Sequence, residues 1–313
     1  MSHPNRAPIG LAVSALLALI ALCGACDRAE PEPPRPNQPA EATPDALPPG
    51  QRIVSFVPAL TEIAFDMGLG PRIVGVSDFA TWPPEPIKAL PRVGGLVNPN
   101  LERTLALTPD LLLASPTLEA VRELGEAQKI PVVAPRTESI EDIYAAYAAL
   151  GEATGERARA KEAAEALRRE LEALKGATKA TGDARPRVLL VVGRDPGSLK
   201  GLYAAGPGSF LDELLVLAGG RNALPKTESL WPAISKEYVL AHPPEWILEF
   251  NASPTADPEV KTREAREAWA AMPSLKAVKA GRVRGLTGAH LLLPGPRVAQ
   301  TVRAIQVILG EGR

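Results

Sequence analysis

Glu156-Arg-Ala-Arg-Ala-Lys-Glu-Ala-Ala-Glu-Ala-Leu-Arg-Arg-Glu-Leu-Glu-Ala-Leu-Lys175 is the stretch on which the fold turns. It holds no glycine, proline or β-branched residue, and its Ala, Leu, Glu, Arg and Lys are all strong helix formers. A helix of this length spans about 30 Å, the diameter of a small domain. The helical pattern opens upstream at Ser139-Ile-Glu-Asp142, an N-cap with acidic residues in the first turn. It breaks near Gly151 to Gly155, resumes to about Lys179, and ends at Thr181-Gly-Asp-Ala-Arg-Pro186.

On the N-terminal side, short apolar runs at Arg52–Val57, Arg72–Ser77, Leu111–Ala114 and Pro131–Ala134 read as strands. They alternate with helical segments at Thr61–Met67, Leu101–Leu107 and Leu118–Gln128. On the C-terminal side, strands at Arg187–Val192, Trp246–Phe250 and Arg282–Leu286 alternate with helices at Ser209–Ala218, Thr262–Ala271 and Pro296–Leu309. Strands alternating with helices at this spacing imply βαβ units. The expected fold class is therefore α/β: two lobes with mainly parallel sheets joined by one long rigid helix. The expected boundaries are 51–150 for the first lobe, 151–182 for the inter-lobe helix and 183–313 for the second lobe. A rigid strut between lobes permits only modest relative motion.

Further out, residues 1–25 read as an export signal. Arg6 supplies a positive start, and Ile9 to Leu22 is apolar apart from Gly10 and Ser14. That run is short for a bilayer span. Gly24 and Ala25 before Cys26 resemble the lipobox of bacterial lipoproteins, with Cys23 standing where Leu is usual. The expectation is a lipid on Cys26 and a membrane anchor on the periplasmic or cell-surface side. An uncleaved anchor and an ordinary signal peptide are the alternatives. Residues 26–50 are rich in Pro, Ala and Glu with few large apolar side chains, so they read as a disordered, semi-extended linker.

Composition excludes more than it selects. The formal net charge is −1, which offers no basic field for nucleic acid. Both cysteines lie in the export segment, so the folded body has no disulfide and no Cys metal site. Outside that segment the histidines are His242 and His290, too few for the usual zinc set. No Gly-x-Ser-x-Gly and no P-loop lysine is present, so neither a hydrolase nor a nucleotide site is indicated. The expectation is a non-enzyme without cofactor or metal.

Specific motifs follow in order: Arg52-Ile-Val-Ser-Phe-Val-Pro-Ala-Leu-Thr-Glu62, Gly75-Val-Ser-Asp78, Thr81-Trp-Pro-Pro84, Asn100-Leu-Glu-Arg103, Ala106-Leu-Thr-Pro-Asp-Leu-Leu-Leu113, Gly206-Pro-Gly-Ser-Phe-Leu-Asp-Glu-Leu-Leu215, Trp231-Pro232, Ile234-Ser-Lys-Glu237 and Pro294-Gly-Pro-Arg-Val298. From about Arg52 to Leu309 this series resembles the substrate-binding proteins of ABC importers for cobalamin, haem and ferric siderophores, the cobalamin-binding members most of all. The resemblance implies a monomer that captures a corrinoid, cobalamin, in a cleft between the lobes and delivers it to a permease dimer. Haem or a ferric siderophore is the alternative ligand.

By the same resemblance, Trp82 and Trp231 are ligand contacts. Aromatic faces suit a large, flat, partly apolar ring and bury much area at low entropic cost. Trp82 also reads as a loop aromatic packed on its prolines. Leu96 stands near the place of a further Trp in the cobalamin binders, so one wall is weaker here. Ser55, Pro58 and Ala59 follow the first strand at the carboxyl end of the sheet, where α/β lobes meet ligands. Arg194 and Asp195 hold the equivalent place in the second lobe, either bonding ligand edges or making the turn. Tyr203 and His290 are further cleft candidates. Glu102 and Glu237 fall on the positions that salt-bridge to permease arginines in the family. Their plain reading is carboxylates that offset helix dipoles. A secreted hydrolase and an envelope scaffold that has lost its ligand are the competing functions.

Overall fold

The computed structural model describes residues 51–175 and 182–310. Cys23, Cys26, the export segment and the proline-rich linker lie outside the described residues. The first lobe is built on β1 (Ile53–Ser55), β2 (Ile73–Val76), β3 (Leu111–Leu113) and β4 (Val132–Val133), all parallel, in the order β2-β1-β3-β4. Every residue of β1 and β3 is buried, as a parallel sheet covered on both faces requires. Its helices are α1 (Pro58–Asp66), α2 (Pro84–Ala89), α3 (Leu101–Ala106) and α4 (Glu119–Gln128).

Two longer helices follow, α5 (Ile140–Thr154) and α6 (Arg157–Lys175). A capping box between Ser139 and Asp142 starts α5, and Gly155 ends it at φ +73°, a conformation that costs glycine little. α6 buries Ala160, Leu167 and Leu171 as one stripe and turns its charged face outward.

The second lobe contains β5 (Arg187–Gly193), β6 (Leu202–Ala204), α7 (Phe210–Leu217), β7 (Arg221–Asn222), β8 (Ala233–Ile234), α8 (Lys236–Ala241), β9 (Trp246–Asn251), α9 (Pro258–Trp269), α10 (Lys276–Lys279), β10 (Val283–Thr287) and α11 (Val298–Gly310). The sheet order is β10-β9-β5-β6-β8, with β7 also beside β5. β10, β9, β5 and β7 are parallel, whereas β6 runs antiparallel to both of its neighbours, β5 and β8, so this sheet is mixed.

The lobes share one core. A single apolar cluster takes Leu60 and Ile63 from α1, Tyr147 and Leu150 from α5, Leu167 and Leu171 from α6, Leu211 and Leu215 from α7, and Val302 and Ile305 from α11. Polar ties cross the same region. Glu213 of α7 accepts a hydrogen bond from the Ile140 amide at 2.6 Å, supplementing the α5 cap. Gln306 of α11 donates to the Leu174 carbonyl at 2.8 Å, and Arg303 pairs with Glu170 at 2.6 Å. A close-packed common core resists hinge motion.

α1 begins at Pro58 rather than at the expected Thr61. Proline fits the first helical position, because the N–H it lacks there has no intrahelical partner. α9 likewise starts at Pro258 behind an Asp257 cap, ahead of the expected Thr262.

Candidate ligand-binding site

Two loops of the first lobe carry its exposed apolar surface. Phe79 is 69% exposed and Trp82 43%, on the loop after β2; Leu96 is 49% exposed and Val97 96%, on the next loop. The loops are joined by backbone bonds, Asp78 N to Gly94 O at 2.9 Å and Val93 N to Val76 O at 3.0 Å. Gly94 has φ +85°, and a Cβ there would lie 2.2 Å from the Asn98 carbonyl, so only glycine closes this turn. Arg92 threads the first loop from behind, donating to the carbonyls of Ser77 at 2.9 Å and Ala80 at 2.7 Å. Large apolar side chains are thus held open to solvent on a hydrogen-bonded frame.

Phe79 is the residue that sequence reading missed. Its ring lies against the backbone of Gly95, where a Cβ would come 2.7 Å from Cε2. The ring therefore stands beside Leu96, where the sequence shows a weaker wall.

Trp82 is backed by a cation. The Arg297 guanidinium lies 4.8 Å from the centroid of its ring. Arg297 also forms a bidentate pair with Glu62 of α1, with Nε to Oε2 at 2.8 Å and Nη2 to Oε1. Glu62 is only 3% exposed. The segment before α11 thereby lies on α1: a Cβ on Gly295 would sit 3.7 Å from both the Ala59 carbonyl and Glu62 Oε2. His290, in the same segment, is half-buried. Burial, and secondly the Arg297 charge, hold its imidazole below the usual histidine range.

The other candidates divide. Ser55 is fully buried; its hydroxyl donates to the Val57 carbonyl at 3.2 Å and accepts from Thr61 Oγ1 at 2.8 Å. Ala59 is buried under Gly295, and half-buried Pro58 opens α1. In the second lobe Tyr203 is 50% exposed on β6. Trp231 is half-buried, its ring 5.6 Å from that of Phe210. β6 ties the two together, because the Ala204 amide donates to the Pro232 carbonyl at 3.1 Å.

Arg194 is committed elsewhere. Its Nε donates to Glu249 at 2.8 Å, and its other donors reach the carbonyls of Asp195, Ser198 and Glu264. Glu249 also accepts from Trp269 Nε1 at 2.7 Å. This network borders a cavity of about 600 Å³ between the strand ends and α9, which neither Trp82 nor Trp231 lines. Asp195 closes the turn into β6, receiving at its carbonyl the Ser198 amide.

Glu102 and Glu237 are exposed at matching places in separate lobes. Each is the second residue of its helix, behind a capping Asn100 or Ser235. The Ser235 hydroxyl and the helix-terminal amide hold the Glu237 carboxyl below its usual range. Among the described residues no cluster of His, Cys, Asp and Glu is arranged to hold a metal ion.

The model of one family, described as periplasmic binding protein, matches residues 53–289. The chain belongs to the periplasmic binding protein family. It is thus a substrate-binding component of an ABC importer, and the family is one of transport proteins rather than enzymes. The vitamin B12-binding protein of Salmonella paratyphi A is 35% identical over 199 residues, covering 63% of this chain and 71% of that protein. An uncharacterized ABC transporter substrate-binding lipoprotein of Bacillus subtilis, YvrC, is 27% identical over 261 residues, 82% of this chain and 78% of its own. Among solved structures, the periplasmic vitamin B12-binding protein of Vibrio cholerae superposes with a TM-score of 0.68 at 27% identity, covering 84% of this chain and 98% of that one. A periplasmic haem-binding protein of Pseudomonas aeruginosa gives 0.68 at 26% identity, covering 83% and 92%. The family's two-lobe α/β fold is the fold described above.

Proposed function

We propose that this periplasmic binding protein captures a corrinoid, cobalamin, between its lobes and presents it to the permease dimer of an ABC importer. The observation that carries this reading is the pair of exposed aromatic rings, Phe79 and Trp82, held on a rigid frame in the first lobe. Flat faces of that kind suit a macrocycle, and pre-ordered loops lose little entropy on binding. Trp231 and Tyr203 supply the apolar contacts from the second lobe, while His290 borders the site through Arg297. Likeness to vitamin B12-binding proteins supports the same ligand. Ser55, Pro58 and Ala59 shape the wall from beneath. Arg194 and Asp195 shape the second lobe rather than touch the ligand.

Glu102 and Glu237 provide the docking charges, one per lobe. Exposed charges of this kind set orientation and encounter rate more than raw affinity. The protein works as a monomer outside the cytoplasm, with Cys26 lipidated and residues 26–50 as its tether to the membrane that holds the permease. Haem is the second reading, favoured by likeness to a haem-binding structure.

Calorimetric titration with cyanocobalamin and, separately, with haem tests this function. Tight binding of cyanocobalamin that Trp82→Ala weakens by about tenfold supports it. Absence of cyanocobalamin binding at concentrations on the order of tens of micromolar overturns the corrinoid assignment, and binding of haem alone establishes the second reading.

A further inference from the structure

Arg297 makes two contacts that are chemically unlike and come from different parts of the fold. Its Nε and Nη2 engage Glu62, a carboxylate that is 3% exposed on α1, and its guanidinium carbon lies over the Trp82 ring, 4.8 Å from the centroid. The arginine itself is 12% exposed and stands directly before α11, far along the chain from both partners. A planar guanidinium can satisfy a carboxylate with its edge and an aromatic ring with its face at once, which an ammonium cannot. One face of Trp82 is therefore covered by protein while 43% of the residue remains open.

We propose that Arg297 is a positioning residue for ligand capture: it locks the Trp82 ring in its binding orientation, and through Glu62 it makes that orientation depend on the seating of the second-lobe segment 288–297 against α1. This rests on the reading of Trp82 as a ligand contact. The chemistry is one of pre-organisation. The buried pair fixes the guanidinium plane, and the plane fixes the ring by cation–π attraction. A loop tryptophan without that backing samples several rotamers and loses their entropy when ligand arrives. Arg297 commits its Nε and Nη2 donors to Glu62, so its effect on affinity is exerted through Trp82.

Two variants separate this role from mere support of the fold. Arg297→Lys keeps a positive charge opposite Glu62 but loses the planar fork and the stacking face. Glu62→Gln combined with Arg297→Gln removes both charges together, avoiding an unpaired buried ion. In a Trp231→Phe background, Trp82 is the accessible indole, because Trp246 and Trp269 are 3% and 0% exposed. Acrylamide quenching of fluorescence then reports on the Trp82 ring without any ligand.

The expected result is that both variants unfold cooperatively, that quenching of Trp82 rises about twofold, and that cyanocobalamin affinity in the otherwise native protein falls about tenfold. Unchanged quenching in either folded variant overturns the proposal, as does unchanged affinity despite a loosened ring. If the unaltered protein fails to bind cyanocobalamin, the corrinoid assignment falls. The quenching arm still decides whether Arg297 holds the ring, and titration with haem serves as the affinity readout.

Discussion

Gly95→Ala separates the binding surface from the fold more cleanly than any deletion of an aromatic side chain. The backbone of Gly95 is not left-handed, so alanine is tolerated there conformationally. Its Cβ, however, would lie 2.7 Å from Phe79 Cε2 and 3.1 Å from Cδ2. Ordinary contact begins near 3.4 Å, so the near edge of the ring must withdraw by about 0.7 Å. Phe79 is 69% exposed, and this movement disturbs no core packing. Stability should therefore stay within about 0.5 kcal/mol of the parent, the usual range for surface changes. The binding surface has less latitude. A gap of this size forfeits roughly a quarter to a half of each dispersion contact, and a shift in the opposite sense overpacks the site. With a stacked aromatic contributing about 1 kcal/mol beyond its buried area, the expected loss is about two- to threefold in affinity. Phe79→Ala, which removes the ring altogether, should cost about tenfold or more. Urea denaturation measures the first quantity and calorimetric titration with cyanocobalamin the second. If Phe79→Ala binds as tightly as the parent, Phe79 is not a wall of the site. If Gly95→Ala is destabilised by more than about 1 kcal/mol, the contact belongs to the fold.

His290 and Thr301 give two further tests. Burial, then the charge of Arg297, lower the His290 pKa in the folded protein. On acidification the unfolded chain therefore takes up this proton first. The group costs nothing well above the ordinary value of about 6.5 and removes stability as pH falls through it toward the folded value. His290→Gln should flatten that part of the decline in the urea midpoint between about pH 7.5 and 5.5, and an identical slope in the variant would refute the assignment. Thr301 of α11 is fully buried, and its hydroxyl is the one buried side-chain polar atom without a hydrogen-bond partner among the described residues. Thr301→Val keeps the shape and removes the orphan, so it should stabilise by about 1 kcal/mol. A lower urea midpoint in that variant would show that the hydroxyl is bonded in solution.

The parts of the fold legible in sequence are those with a period. α6 announces itself through a run of helix formers, and β1, β3, β5 and β9 through short apolar runs between turn residues. β6, β7 and β8 are each two or three residues long, below the length at which alternation can be recognised, and so β7 and the antiparallel pairings of β6 went unread. Candidate site residues were legible where a motif was local: Trp82 before its prolines, and Glu102 and Glu237 behind their caps. They were illegible where chemistry depends on distant partners. Arg194 could be read either way until Glu249, 55 positions along the chain, fixed its guanidinium. Phe79 carries no signal in its own loop and becomes a binding candidate only because Gly95 offers bare backbone for its ring to lie on. Glu62 and Arg297, 235 positions apart, sit in two of the quoted motifs, yet nothing within either motif states that they meet.

A shared core has a consequence for how such a protein gives up what it holds. Where lobes swing on flexible strands, opening is cheap and release can be spontaneous. Here α6 packs against α5 on one side and against α7 and α11 on the other, and the cluster they form is continuous with both sheets. Parting the lobes would expose side chains such as Tyr147, Leu150, Leu211 and Ile305, all fully buried, each worth about 1.5–3 kcal/mol when transferred to water. Thermal motion alone seldom supplies such a sum, so capture must rely on walls already in place. That accounts for an exposed Trp82 and Phe79 braced by Arg297, Arg92 and bare glycine backbone. On the proposed function, release then requires work done from outside. As the docking charges proposed above, Glu102 and Glu237 would receive it: each stands in the first turn of a short capped helix, one helix in each lobe. A partner gripping both carboxylates acts on the two lobes separately, and even a small displacement between them strains the Glu62–Arg297 pair and, with it, the ring that Arg297 holds.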